Sequence, residues 1–334
     1  MSGLLKRIFG SKSENTIETL NRGILVCENC SRKLNLEHFE PLSLQACPSC
    51  KEPNFIPMLI GAYWLEKPLG GGGMGAVYRG SYVDDNGDKC YCAVKILPRD
   101  HKDSPHLILN LQKEIDTMNS IGAHPSIASV INSGEVNGEI YLATQFLEGD
   151  RLDIKLARQG KIAEDEVILT ALRMLSALTH IYKCGYLFRD MKPQNIIMTE
   201  YGACLFDFGI SLEVDEALEA QNNAQGSALY YPPERLSGEG ERPNSEIYSL
   251  GMVMYHVLSG SPYFTAKDIE TITQLNVRKS RLMKPKDKNR KDISEDMSVI
   301  IERMILRDPY ERYQNFADVE SALIDTLQRR LQQS

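Results

Sequence analysis

A chain of 334 residues, 42% hydrophobic and 25% charged, is long enough to bury more than one core, so one large two-part domain with a small appendage is expected. Its formal net charge of -7 argues against nucleic-acid binding as the main activity, because phosphate backbones are held by clustered Lys and Arg. No uninterrupted apolar run is long enough to cross a bilayer, and the start lacks the apolar core and cleavage site of a secretory signal, so the chain reads as cytoplasmic.

The first ten residues, Met1 to Gly10, are basic and apolar at once. Contact with an anionic membrane surface is open to them, but a frayed terminus is preferred, and residues 1–22 read as a flexible segment. Next come two C-x-x-C pairs, Cys27 with Cys30 and Cys47 with Cys50, separated by residues 31–46. Each pair turns tightly enough to aim two sulfurs at one point, and the spacing is that of a four-thiolate zinc site, with the intervening segment returning as a small hairpin. Two disulfides are disfavoured by the intracellular reading, and redox-active pairs by the lack of a βαβ pattern around them. Four thiolates leave no position for a substrate water, so the Zn2+ expected here is structural. Residues 23–56 resemble a zinc ribbon, which serves either stability or recognition of a regulatory partner. The other cysteines, Cys90, Cys92, Cys184 and Cys204, sit singly in apolar contexts and need no role.

Leu69 to Val77 is rich in glycine between two apolar runs that read as the strands of a hairpin, with Gly70, Gly72, Gly75 and Val77 spaced as G-x-G-x-x-G-x-V. Glycines let a backbone close over phosphates and present amide donors to them, although this string alone is weak evidence. It is followed by Cys92-Ala93-Val94-Lys95-Ile96, a β-branched run with one charge in its middle. A lysine in an apolar strand is costly unless it is paired. Leu107 to Ile121 has helical periodicity and carries Glu114, and Ile140 to Gly149 reads as a strand running into a loop. A long apolar helix is expected over 164–182. After it come Phe188-Arg189-Asp190-Met191-Lys192-Pro193-Gln194-Asn195 and Asp207-Phe208-Gly209. Two carboxylates, an amide and a lysine at this spacing suit magnesium and a transferring phosphoryl group beside a hydroxyl nucleophile.

From about Tyr63 to Leu327 these motifs, in this order, resemble a bacterial-type serine/threonine protein kinase. The resemblance implies an α+β, two-lobed protein kinase fold over residues 60–328: a small antiparallel β lobe with one helix, a large α-helical lobe, and ATP between them. Gly70, Gly72, Gly75, Val77, Ala93, Lys95 and Ile197 belong to the implied cofactor-binding set, with the backbone of Gln145 to Leu147 on the adenine edge and Thr144 behind it. Lys95 would pair with Glu114. Asp190 would accept or orient the proton of the substrate hydroxyl, Lys192 would stabilise charge on the phosphoryl group, and Asn195 with Asp207 would ligate Mg2+. Lys192 resembles the serine/threonine-specific subgroup, so the implied partners are protein substrates phosphorylated on Ser or Thr.

Two departures from the family pattern stand out. Phe188 replaces a histidine, and its ring is expected to pack on Phe208 and Met118. Glu246 replaces an aspartate that ties down the catalytic-loop backbone, and its added methylene leaves room for that anchor to loosen. The loop from Ile210 to Tyr231 holds no threonine; its hydroxyls are Ser211, Ser227, Tyr230 and Tyr231. The family's arginine beside the catalytic aspartate usually meets a phosphate from this loop. One of Glu213, Asp215, Glu216 and Glu219 is therefore expected to replace that phosphate in part at Arg189, with a solvated acidic loop as the equal alternative. The loop ends in Gly226 to Glu234, similar to the family's substrate-docking motif, and Glu234 is expected to pair with Arg312.

Further helices are expected over 248–258, 294–306 and 316–331. The basic run 284–291 is interrupted by proline and aspartate and reads as a solvated connection. The residues favour an ATP-dependent serine/threonine kinase using Mg2+ and a structural Zn2+. The alternatives are a nucleotide-binding scaffold without turnover and, from the ribbon alone, a zinc-dependent nucleic-acid adaptor, which the acidic balance disfavours.

Overall fold

The structure, a computed structural model, describes residues 16–72, 75–219, 228–264, 270–271, 274 and 293–333. The readings made for Met1 to Gly10, Ser227 and the basic run 284–291 lie outside these residues. The chain divides into two compact units, Met1–Gln112 with Val130–Phe146, and Lys113–Ser129 with Leu147–Ser334.

The first unit begins with a short helix, α1 (Ile17–Asn21), whose cap Thr16 accepts the Thr19 N–H at 3.2 Å. This helix lies inside the segment expected to be flexible, and forms because Leu20 is only 1% exposed and has a core to join. Strands β1 (Ile24–Val26) and β2 (Lys33–Asn35) form one hairpin, and β3 (Leu44–Ala46) and β4 (Pro53–Phe55) another. Each C-x-x-C pair is the tip of its own hairpin, rather than the two being joined by one. The tips match bond for bond: Ser31 N–H donates to Cys27 O and Lys51 N–H to Cys47 O, both at 2.9 Å. The residues after them, Ser31 and Lys51, carry φ values of 58° and 64°.

Strand β5 (Met58–Ile60) leads from this ribbon into a six-stranded antiparallel sheet of order β5-β6-β7-β8-β10-β9. Its other members are β6 (Tyr63–Gly72), β7 (Gly75–Val83), β8 (Lys89–Ile96), β9 (Val130–Val136) and β10 (Glu139–Gln145). Cys92, Val94 and Ile96 alternate inward along β8 and form a core with Leu65, Tyr141 and Ala143, which leaves Lys95 on the opposite face. Trp64 of β6 closes the ribbon core of Leu20, Leu25, Leu34 and Ile56, and its Nε1–H donates to Asn21 Oδ1 at 2.7 Å. Ribbon and sheet are thus one packed body, joined through β5, β6 and Trp64.

Helix α2 (Pro105–Ile121) runs from the first unit into the second. The second unit is mainly helical, with α3 (Leu152–Gln159), α4 (Glu164–Lys183), α5 (Val214–Glu219), α6 (Pro233–Ser237), α7 (Pro243–Ser259), α8 (Glu295–Met304) and α9 (Phe316–Gln333). Helix α7 starts earlier than periodicity indicates, because Pro243 suits the first turn and Ser245 Oγ accepts the Arg242 N–H at 3.0 Å. It is buried on nearly every face, and a Cβ at Gly251 would lie 2.8 Å from both Ile305 Cγ2 and Met304 Cβ. The close approach of the α8 end to α7 therefore needs glycine there. Arg330 of α9 clamps the start of α4 through Glu164 at 2.7 Å and Asp165 at 2.6 Å. Glu234 and Arg312 form the expected pair, bidentate at 2.7 and 2.8 Å and buried. Short strands complete the unit: β11 (Gly149–Arg151), β13 (Ile196–Thr199) and β14 (Gly202–Leu205) in one sheet, β12 (Tyr186–Leu187) and β15 (Leu212–Glu213) in another. Among the described residues, no helix is long and apolar enough to cross a membrane.

Candidate active site

The hairpin of β13 and β14 organises the polar cluster of the second unit. Its register pairs Ile196 with Leu205, so the residues just before one strand and just after the other lie side by side at its open end. These are Asn195 and the Phe206-Asp207 step, and the Phe206 N–H donates to Asn195 O at 3.2 Å. Asn195 Nδ2 donates to Asp190 O at 3.0 Å and to Asp190 Oδ2 at 2.7 Å, and Lys192 Nζ reaches the same Oδ2 at 2.7 Å. Both amide hydrogens of Asn195 are thereby committed, which leaves its Oδ1 as the group able to meet a cation. Asp207 is exposed, while the next residue, Phe208, is 1% exposed.

Arg189 and Asp207, both with φ of 66°, adopt the left-handed backbone that non-glycine residues rarely take. Phe188 is fully buried, and its ring meets Phe208 edge-on with centroids 5.0 Å apart and planes at 70°. Glu246 keeps the anchor that its added methylene left room to loosen. Its Oε1 accepts the Arg189 N–H at 2.6 Å, so the longer side chain still reaches the loop backbone. Burial raises the Glu246 carboxyl to about 7, against the lowering effect of the Arg189 N–H and with a further push from the Glu241 charge.

The expectation for Arg189 is corrected. Its Nε and Nη2 reach Glu241 Oε1 at 2.7 and 2.6 Å, and Nη1 donates to Ile210 O at 3.3 Å. The acid that meets it therefore comes from the connection between α6 and α7, beyond the loop that holds Glu213, Asp215, Glu216 and Glu219. The second Glu241 oxygen is bonded by Arg235 Nη2. Of the loop hydroxyls, Ser211 Oγ donates to Phe188 O at 3.1 Å, Tyr230 OH is bonded to His256 Nδ1 at 2.7 Å, and Tyr231 is 3% exposed.

In the first unit, Gly70, Gly72 and Gly75 lie where β6 turns into β7, and Val77 pairs with both Gly70 and Lys95. A Cβ at Gly75 would come within 3.1 Å of Ile96 O and 3.2 Å of Lys95 Cε, so glycine is needed to keep the space beside that lysine. Ala93 pairs with Thr144, whose Oγ1 donates to Ala93 O at 3.5 Å, and Gln145 ends β10. Lys95 is half-buried. Glu114, on α2, is 5% exposed. Leu147 and Ile197 belong to the second unit, both half-buried.

The four ribbon thiols converge, with all Sγ atoms within 4.8 Å of one another. Cys27 and Cys50 are 3.6 Å apart and Cys30 and Cys47 3.7 Å. Tetrahedral zinc with bonds near 2.3 Å spaces its sulfurs by about 3.8 Å, so the donor set fits Zn2+. Burial raises the Cys27 thiol, but N–H groups of Cys30 and Asn29 and the side chains of Asn54 and Cys50 outweigh it and bring it to about 6. Asn54 was not visible in the sequence as a site residue. It is 7% exposed, and its Nδ2 lies 3.5 Å from Cys27 Sγ. Glu241 and Arg235 were equally hidden, since no local pattern marks an acid far along the chain from Arg189.

The family model described as "Protein kinase domain" matches residues 63–323. The chain is 28% identical over 259 residues to a probable serine/threonine-protein kinase of Clostridium perfringens, covering 77% of this chain and 37% of that protein. It is 29% identical over 277 residues to the serine/threonine-protein kinase PknH of Mycobacterium tuberculosis, covering 81% and 43%. With the serine/threonine-protein kinase PknA of M. tuberculosis it shares 32% identity over 279 residues, covering 79% and 62%. The chain therefore spans less than two thirds of the length of these relatives.

Proposed function

The chain belongs to the protein kinase family, and from that premise we propose that it transfers the γ-phosphate of ATP to Ser and Thr hydroxyls of proteins. The observation that carries this reading is the cluster of Asp190, Lys192 and Asn195, hydrogen-bonded to one another and set beside the Asp207 segment by one hairpin. Asp190 orients the substrate hydroxyl and takes its proton as the oxygen bonds to the γ-phosphorus and the bridge to ADP breaks. Lys192 steadies Asp190 and the charge on the transferring group. Asn195 Oδ1 and the Asp207 carboxylate are hard oxygen donors suited to Mg2+. Magnesium, when bound, neutralises phosphate charge during transfer.

In the first unit the turn of Gly70, Gly72 and Gly75 is the part suited to close over phosphates, with Val77, Ala93 and Gln145 as its adenine-side residues. Lys95, on the same strand as Ala93, is the cation proposed for phosphate oxygens. The ribbon, residues 23–56, carries a structural Zn2+ and supports the small lobe, a role favoured by its shared core with Trp64. Four converging free thiols favour a reducing intracellular setting.

The test is phosphate transfer from γ-labelled ATP with Mg2+ to the protein itself and to a generic basic protein, comparing wild type with Asp190→Asn. Wild type is expected to transfer, and the variant to lose on the order of 10²- to 10⁴-fold in rate. Wild type that binds nucleotide without any transfer would instead make this a scaffold without turnover.

A further inference from the structure

Arg189 precedes Asp190 in the chain, so whatever holds its backbone and side chain also sets where Asp190 points. Its left-handed φ of 66° is a conformation that persists only when the surroundings determine it. Here they do so from two sides. The backbone N–H is taken by Glu246, and the guanidinium by Glu241 and Ile210 O.

Glu241 lies between two guanidinium groups, one oxygen on Arg189 and the other on Arg235. The three side chains are all buried, with Glu241 only 2% exposed. Among the described residues, Nε and Nη1 of Arg235 have no hydrogen-bond partner, so its charge depends on Glu241 and on the Tyr231 ring 4.4 Å away. The chain is shaped to deliver this carboxylate. Gly240 has φ of 78°, and a Cβ on it would come 2.2 Å from Leu218 O. The Glu241 N–H then donates to Ala217 O at 2.9 Å, which ties the same residue to α5 at the head of the loop.

We propose that Glu241 is a built-in counter-ion that fixes Arg189, and through it Asp190, so that phosphoryl transfer does not require an anionic group added to the loop 210–231. The inference rests on the kinase reading. Glu241 acts through Arg189 and is a positioning residue. A carboxylate with an arginine on each oxygen supplies the charge-assisted bonds that a phosphoryl group would otherwise bring.

The test compares wild type, shown by mass to carry no phosphate after phosphatase treatment, with Glu241→Gln, Glu241→Asp and Glu241→Ala. Dephosphorylated wild type is expected to keep its rate. Glu241→Gln should lower kcat on the order of 10²-fold with KM for ATP near wild type, the size of loss that a small misplacement of a reacting group produces. Glu241→Asp should recover part of that loss, and formate should restore kcat in Glu241→Ala by returning a carboxylate to the two arginines. An active wild type that loses transfer on dephosphorylation would overturn the inference and leave the kinase reading intact. The same holds for a Glu241→Gln protein with wild-type kcat. Should Glu241→Gln fail to fold, the dephosphorylated wild type decides alone. Wild type without transfer in any phosphorylation state would end the kinase reading and this inference together.

Discussion

Glu246 shows how one methylene can change a titration without changing a contact. Its Oε1 keeps the Arg189 N–H, while Oε2 is buried without a hydrogen-bond partner among the described residues. Burial and the neighbouring Glu241 charge raise the carboxyl from 4.5 to about 7, with Arg235 and Arg189 opposing them. The folded protein then holds a proton that the unfolded chain has already released. The contribution of Glu246 to stability is complete below about pH 4.5 and is lost as the pH rises through about 7. Glu246→Gln cannot titrate, so its Tm is expected to gain on that of wild type across this window in paired thermal melts. A Tm difference that stays flat with pH would show that Glu246 is ionised throughout. At this scale the sequence was legible where chemistry is local. Asp190, Lys192 and Asn195 lie within six residues of one another and are hydrogen-bonded into one cluster. The partner of Arg189 was not legible, because Glu241 arrives 52 residues later through a close passage of Gly240 over Leu218 that no periodicity records.

Among the elements, the ribbon carries the clearest consequence. Its cysteine spacing was readable, since each C-x-x-C pair shapes its own turn. Its continuity with the sheet was not, because β5 is only three residues long and α1 only five. Both are too short for a periodic signal, and both exist through packing around Trp64. That residue is the single tryptophan of the chain, 7% exposed, and its indole N–H is bonded to Asn21. Removing zinc should release the two knuckles, open the core of Leu20, Leu25 and Leu34, and expose the indole. Emission from Trp64 is therefore expected to shift to the red on chelation, together with release of one zinc per chain. Metal release with unchanged emission would mean that the ribbon core holds without the ion. Helices α4 and α9, by contrast, matched their sequence periodicity closely, because each carries an apolar face long enough to declare itself.

For the whole molecule, composition excluded more than it identified, and the order of motifs carried the assignment to a kinase. Each unit holds its own part of the machinery on rigid elements. The glycine turn and Lys95 sit on the strands of one unit, and the acid, lysine and amide on a pinned loop of the other. The pins include the buried Glu234 to Arg312 pair and the Glu241 and Glu246 contacts to Arg189. Buried ion pairs such as Glu234 with Arg312 and Glu241 with Arg189 add little net stability but cost about 3–5 kcal/mol when one partner is removed, so they enforce one arrangement. Whether that arrangement transfers phosphate to Ser and Thr is answered most directly at the acceptor. The measurement is mass spectrometry of a basic protein incubated with the dephosphorylated chain, ATP and Mg2+. The expected product carries phosphate on serine or threonine and is missing when Asp190→Asn replaces wild type. Phosphate found on tyrosine alone, or no phosphate with ATP bound, would contradict a serine/threonine kinase.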